Sequence, residues 1–145
     1  MVIKGMVKMC DKVIIGIGSS ERSNTEENPF TAQERKEMIQ EALQNEDIIP
    51  NFDVNFIEVP DVDDDAEWTQ TCIDLGKNID TVWTGNDWTK QCFDGKVEIK
   101  DIKEVPGISA TEIRQMIKDG DADWKDKVPK SVHKAIDTLG RDRII

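Results

Sequence analysis

Lys12-Val-Ile-Ile-Gly-Ile-Gly18 is a short apolar run, largely β-branched, that ends in glycines. Such a run predicts a strand buried on both faces, the kind found in parallel sheets. The sequence on either side of it has helical periodicity. Upstream, Ile3, Met6, Val7 and Cys10 fall at i, i+3, i+4 and i+7, one apolar face of a helix. Downstream, a polar loop from Ser19 to Phe30 leads to Thr31-Ala-Gln-Glu34. This is a capping box, in which the Thr hydroxyl and the Glu carboxylate satisfy free amides at a helix start. Met38, Ile39, Ala42 and Leu43 continue that helix along one face.

The same alternation runs on to the C-terminus. A strand is predicted over 53–59, a helix over about 66–76, a strand over 80–84 and a short helix over about 87–93. Val97-Glu-Ile-Lys100 is a weaker strand, and helices over about 110–118 and 129–138 close the chain. Strands alternating with helices predict an α/β fold, a Rossmann-like parallel sheet with helices on both faces. With no repeat and no Gly/Ser-rich linker, residues 1–145 read as one domain. The first helix has no cap before it and no strand feeding it, as though an opening strand were missing.

Composition narrows the partners. Nineteen basic and 30 acidic side chains leave a net charge of −11, which argues against a broad basic face for nucleic acid or for anionic membranes. No apolar run reaches the roughly 18 residues a transmembrane helix needs. Cys10, Cys72 and Cys92 lack metal-ligand spacing and, with the single His133, suggest no zinc site. They read as semi-buried thiols in a reducing cytoplasm, and His133, beside Lys130 and Lys134, reads as a surface residue.

Parallel sheets bind ligands beyond the C-terminal ends of their strands, and phosphates at helix N-termini. Four segments in such places stand out. Gly16-Ile-Gly-Ser-Ser20 leads into Asn28-Pro-Phe-Thr-Ala-Gln-Glu-Arg35; the glycines suit either a close-approaching ligand or a plain strand exit. Pro60-Asp61-Val62 opens a run of four aspartates in five residues, Asp61 to Asp65. It reads as a cation site without EF-hand spacing or as a solvated loop and helix start. Trp68 follows, as core or as a stacking platform. Thr84-Gly85-Asn86 fits both a nucleotide site and a tight turn. Gly107-Ile-Ser109-Ala-Thr111-Glu-Ile-Arg114 places two hydroxyls at a helix start with a guanidinium one turn on. That arrangement suits an anion, or equally a simple cap with a surface charge.

These segments, in this order, resemble the archaeal type of nicotinamide-nucleotide adenylyltransferase, of the nucleotidyltransferase superfamily that carries His-x-Gly-His. The matching residues are Val13 to Ser19, Asn28-Pro-Phe-Thr31 with Glu34-Arg35, Pro60-Asp61 with Trp68, Thr84-Gly-Asn86, Ile108-Ser-Ala-Thr-Glu-Ile-Arg114 and Val128-Pro-Lys-Ser-Val132. The resemblance covers nearly the whole chain. It implies transfer of the adenylyl group of ATP to nicotinamide mononucleotide, giving NAD and pyrophosphate, with Mg²⁺ accompanying ATP. Trp68 would stack on the nicotinamide, with Asp61, Val62 and Asp65 near its carboxamide. Gly85 and Asn86 would sit at the adenosine, and Ser109, Thr111 and Arg114 would hold ATP phosphates, Arg114 as the catalytic cation. The resemblance further implies a cytoplasmic homo-oligomer.

The chain departs from the family pattern in three places. Glu27 stands where the family often has Lys or Arg, and Asp65 where it usually has Asn. With one histidine, these 145 residues contain no His-x-Gly-His. The expectation is a start upstream of residue 1, or a chain cut short, with a natural remnant as the third explanation. Two competing functions follow: a non-catalytic nucleotide-binding remnant or subunit, and a related adenylyltransferase whose acceptor is a phosphopantetheine or a riboflavin phosphate.

Overall fold

The computed structural model describes residues 2–145. The elements run α1 (Val2–Met9), β1 (Val13–Ile17), α2 (Ala32–Asn45), β2 (Val54–Glu58), α3 (Asp65–Gly76), β3 (Thr81–Thr84), α4 (Asp87–Phe93), β4 (Glu98–Asp101), α5 (Ala110–Lys118) and α6 (Lys130–Leu139). The alternation is that of an α/β fold with parallel strands. The residue that would cap α1, Met1, lies outside the described residues.

The strands form two parallel pairs. β1 pairs with β2 in a register that opposes Val13 to Val54 and Ile17 to Glu58. β3 pairs with β4, Thr81 opposing Glu98 and Thr84 opposing Asp101. Among the described residues no ladder joins the two pairs, so the continuous sheet that the alternation suggests is divided here. Its physical reason is local. Among the described residues each strand has one ladder partner, so the hydrogen bonds of each pair stay within it.

Burial follows the strand period. Val13 and Ile15 on β1, with Val54 and Phe56 on β2, pack against Val7 of α1 and Ile39 and Leu43 of α2. The alternate residues face α3: a methyl added to Gly76 would stand 3.7 Å from Ile14, and Ile57 and Val59 join Cys72 and Ile73. Helices therefore cover both faces of the first pair. Val82 and Ile99 carry the same α3–α4 cluster onto the second pair. Burial pushes the Cys72 thiol up to about 11.

A third cluster sits at the C-terminal end, where Phe30, Ile113, Ile117, Trp124, Ile136 and Ile144 converge. Trp124 comes from a 3-10 segment, Ala122–Lys127, that local periodicity does not announce. His133 corrects the surface reading. It is half-buried, edge-on to the Trp124 ring at 5.4 Å, and its Nε2 lies 2.5 Å from the Lys125 carbonyl and 3.2 Å from that of Val128. With carbonyls as its partners, Nε2 is the donor, and His133 ties the 3-10 segment to α6.

Candidate functional site

The sequence-predicted residues follow the strands in three places. The first lies beyond β1 and β2. Ser19 donates to Asp61 Oδ1 at 2.8 Å, and Arg22 Nε reaches Asp61 Oδ2 at 2.5 Å. The Glu21 carboxylate accepts from the Asp61 amide at 3.2 Å. Asp61 thus joins the two loops and has its charge matched. Val62 follows it, half-buried, and Asp64 caps α3 by accepting from the Glu67 amide at 2.8 Å.

Trp68 is half-buried at the edge of the α3–α4 cluster. Its ring meets Phe93 edge-on at 6.0 Å within the α3–α4 cluster. On another side it meets Trp88, 4.5 Å between centroids at a 51° tilt, within the range of favourable aromatic pairs. Trp88 is 42% exposed, and its indole N–H donates to Asp65 Oδ1 at 3.2 Å. Thr69, fully buried, holds α3 and α4 together, its Oγ1 lying 2.7 Å from the Asp65 carbonyl and 3.3 Å from that of Cys92. Sequence reading missed Trp88. Its only signal was a tryptophan just after Asn86-Asp87, and nothing local says that this ring meets Trp68.

The second place is the start of α5. Ser109 is the N-cap, accepting from the Glu112 amide at 3.2 Å and donating to Glu112 Oε2 at 2.8 Å. Thr111 is exposed and Arg114, half-buried, donates weakly to its Oγ1 at 3.4 Å. Lys118 donates to Glu26 at 2.8 Å, and this partner, helped by Arg114, holds the Glu26 carboxyl below its ordinary value. Between this helix and Asn28-Pro-Phe30 lies a cavity of about 330 Å³. Ser109 and Arg114 stand on one wall, Glu27 and Asn28 on the other, and Phe30, Ile113 and Ile117 give it an apolar lining.

Two arginines support the facing wall: Arg35, quoted in the sequence motif without a role, and Arg143, which the sequence reading missed. Arg35 donates to the carbonyls of Gly18 at 2.7 Å and Ser19 at 3.0 Å, fixing the β1 exit to α2. Arg143, from the last turn of the chain, grips Glu34 and the Pro29 carbonyl. The capping box forms as predicted, Thr31 accepting from the Glu34 amide and Glu34 accepting from the Thr31 amide.

Gly85 and Asn86 stand apart from that cavity. A methyl on Gly85 would come 2.7 Å from the Ile102 carbonyl oxygen, so the close approach that requires glycine is to backbone. Asn86 caps α4, its Oδ1 accepting from the Thr89 amide at 2.9 Å. Among the described residues no group of three or more His, Cys, Asp or Glu gathers to hold a metal ion. Among the described residues no helix is long and apolar enough to cross a membrane.

Parallel βα units, with polar and cationic side chains collected at the strand exits and a helix start, define an α/β protein of the kind that binds its ligands beyond the strand ends. Residues 1–116 match the cytidylyltransferase-like family. The chain is 36% identical to a nicotinamide-nucleotide adenylyltransferase of Methanococcus maripaludis over 149 aligned positions, covering 99% of this chain and 83% of that one. It is 37% identical to one of Pyrococcus furiosus, covering 92% and 73%. The chain belongs to the cytidylyltransferase-like family, among the archaeal nicotinamide-nucleotide adenylyltransferases. The fold matches that of a bifunctional NMN adenylyltransferase/ADP ribose pyrophosphatase from Francisella tularensis, with a TM-score of 0.62 at 23% identity. That match covers 81% of this chain and 36% of the bifunctional one.

Proposed function

We propose that this chain transfers the adenylyl group of ATP to nicotinamide mononucleotide. A 5′-phosphate oxygen of the mononucleotide attacks the α-phosphorus of ATP in line. The new P–O bond forms as the bond to the β-phosphate oxygen breaks, and pyrophosphate leaves. No group on the protein becomes covalently attached, so the rate comes from positioning two anions and neutralising charge as it develops. What carries this reading is the alignment along 99% of the chain with enzymes named for the reaction. The anion-directed start of α5 agrees with it.

In this reading Arg114 supplies the fixed positive charge at the transferring phosphoryl group. Thr111 and the amides at the start of α5 meet ATP oxygens, and Ser109 holds that start in shape as its cap. Gly85 and Asn86 border the adenosine. Trp68 gives the nicotinamide a ring to stack on, with Asp61, Val62 and Asp65 beside the carboxamide. In this reading a divalent cation, Mg²⁺, would enter on the ATP phosphates. The working protein is a cytoplasmic homo-oligomer with these two small-molecule substrates and no nucleic acid partner.

The test is NAD formation by the purified chain supplied with nicotinamide mononucleotide, ATP and Mg²⁺, followed with pyrophosphate release. Stoichiometric NAD and pyrophosphate well above the uncatalysed blank is the expected result. A folded chain that binds both nucleotides and makes no dinucleotide overturns it in favour of a non-catalytic nucleotide-binding role.

A further inference from the structure

We infer that Lys127, from the 3-10 segment after α5, is a positioning residue for ATP, its ammonium holding the turn that leads into the start of α5. The inference rests on the proposed reaction in taking that helix start as the seat of the ATP phosphates.

The turn is Val105-Pro-Gly-Ile108. The Ile108 amide donates to the Val105 carbonyl at 3.1 Å, and Gly107 has a φ of +77°. Proline second and glycine third, with positive φ at the glycine, is the pattern of a type II turn. Ser109, the cap of α5, follows directly. Burial holds this turn little, since Val105 is 59% and Ile108 46% exposed. Lys127 holds it instead, Nζ donating to the Gly107 carbonyl at 3.3 Å. Among the described residues this is the one hydrogen bond from 103–108 to a distant part of the chain. A methyl added to Gly107 would stand 3.6 Å from the same Nζ, so the ammonium lies against the turn.

Lys127 is itself held from both sides along the chain. Trp124, buried in the C-terminal cluster, anchors the 3-10 segment. His133 Nε2 lies 2.5 Å from the Lys125 carbonyl and 3.2 Å from that of Val128, which flank Lys127. The Lys127 side chain is half-buried and takes part in none of the ion pairs among the described residues. With no carboxylate to claim it, the ammonium is left to the turn. Ordering done in the fold is not charged again when a ligand binds.

Amides hold phosphate oxygens well only where they already point at them, and a small misplacement is costly. The amides assigned to ATP follow this turn directly. Lys127 therefore acts on ATP through Gly107, while the acceptor's surface, Trp68, belongs to α3 and does not depend on the turn.

The experiment measures the affinity of the full chain for ATP and for nicotinamide mononucleotide separately by calorimetry, and KM for each during turnover. Lys127→Met keeps the stem and removes the donors. It is expected to raise the Kd and KM of ATP about tenfold, the scale of a hydrogen bond from a charged group, with those of the mononucleotide near wild type. Lys127→Arg, which keeps a cationic donor, is expected to recover most of the loss. Gly107→Ala strains the turn from its own side and is expected to weaken ATP in the same way. Lys134→Met removes an equal charge from an exposed site on α6 and is expected to leave ATP affinity unchanged.

Unaltered ATP affinity in folded Lys127→Met overturns the inference. So does an equal loss in Lys134→Met, or one shared by the mononucleotide. A selective loss of ATP binding in a chain that makes no dinucleotide leaves the inference standing and overturns the proposed reaction. A wild-type chain that does not bind ATP overturns both.

Discussion

The guanidinium of Arg143 lies in a two-pronged pairing with Glu34, 109 residues earlier, through Nη1 to Oε1 at 2.7 Å and Nη2 to Oε2 at 2.9 Å. The same group donates to the Pro29 carbonyl at 3.0 Å and lies over the Phe30 ring at 5.1 Å. One residue in the last turn thereby fastens the wall that faces Ser109 and Arg114. Paired carboxylate and guanidinium forks are stronger than neutral hydrogen bonds, and both partners here are about one-fifth exposed.

The Glu34 carboxyl accordingly sits below its ordinary value of 4.5, chiefly because Arg143 hydrogen-bonds its ionised form. A carboxyl held low in the folded state contributes stability that is present above its unfolded value and lost as pH falls through its folded one. Glu34→Gln is therefore expected to destabilise at pH 7 and to flatten the decline of stability on acidification below about pH 4.5, read by denaturant titration. Arg143→Lys, which loses the fork and keeps the charge, is expected to cost about 1–3 kcal/mol.

Arg114 is the cation assigned to the transferring phosphoryl group. Arg114→Ala is expected to lower kcat by about a hundredfold or more, with a smaller change in the KM of nicotinamide mononucleotide. Since the one hydrogen bond of its side chain among the described residues is a weak 3.4 Å contact to Thr111, the melting temperature should move little. Unchanged kcat in a folded variant removes Arg114 from the catalytic role.

Trp68→Ala tests the stacking surface. Loss of the ring is expected to weaken binding of nicotinamide mononucleotide by roughly 1 kcal/mol or more, seen as a raised KM, while the KM of ATP stays close to wild type. Its core contact with Phe93 will also cost stability, so the comparison is made well below the melting temperature. Unaltered acceptor affinity points to a different acceptor.

Gly85 is confined by backbone. Its added methyl would meet the Ile102 oxygen at 2.7 Å, so Gly85→Ala is expected to destabilise by about 1–3 kcal/mol as the β3 and β4 exits move apart. A drop in thermal stability in the absence of any nucleotide checks this, because a role confined to nucleotide contact predicts no such change.

Local pattern was enough for the element order. The apolar run ending at Gly18 became β1, the Thr31–Glu34 box capped α2, and the weak strand near Val97 formed one residue later as Glu98–Asp101. These features are legible because strand and helix periods, caps and glycine exits act over only a few residues. For the same reason both meanings of Ser109 stayed open, since a cap and an anion contact use the same hydroxyl.

By itself, then, the sequence determined the α/β class, the caps and the set of polar residues at the strand exits. Only the tertiary structure decided how those residues meet. It set Asp61 between Ser19 and Arg22, brought Trp88 against Trp68 with Asp65 at its indole, and carried Arg143 back to Glu34. It also buried Trp124 in a 3-10 segment under His133 and divided the strands into two pairs. Each of these depends on contacts between distant segments. Burial and charge pairing select them when the helices pack, and no short-range period records them.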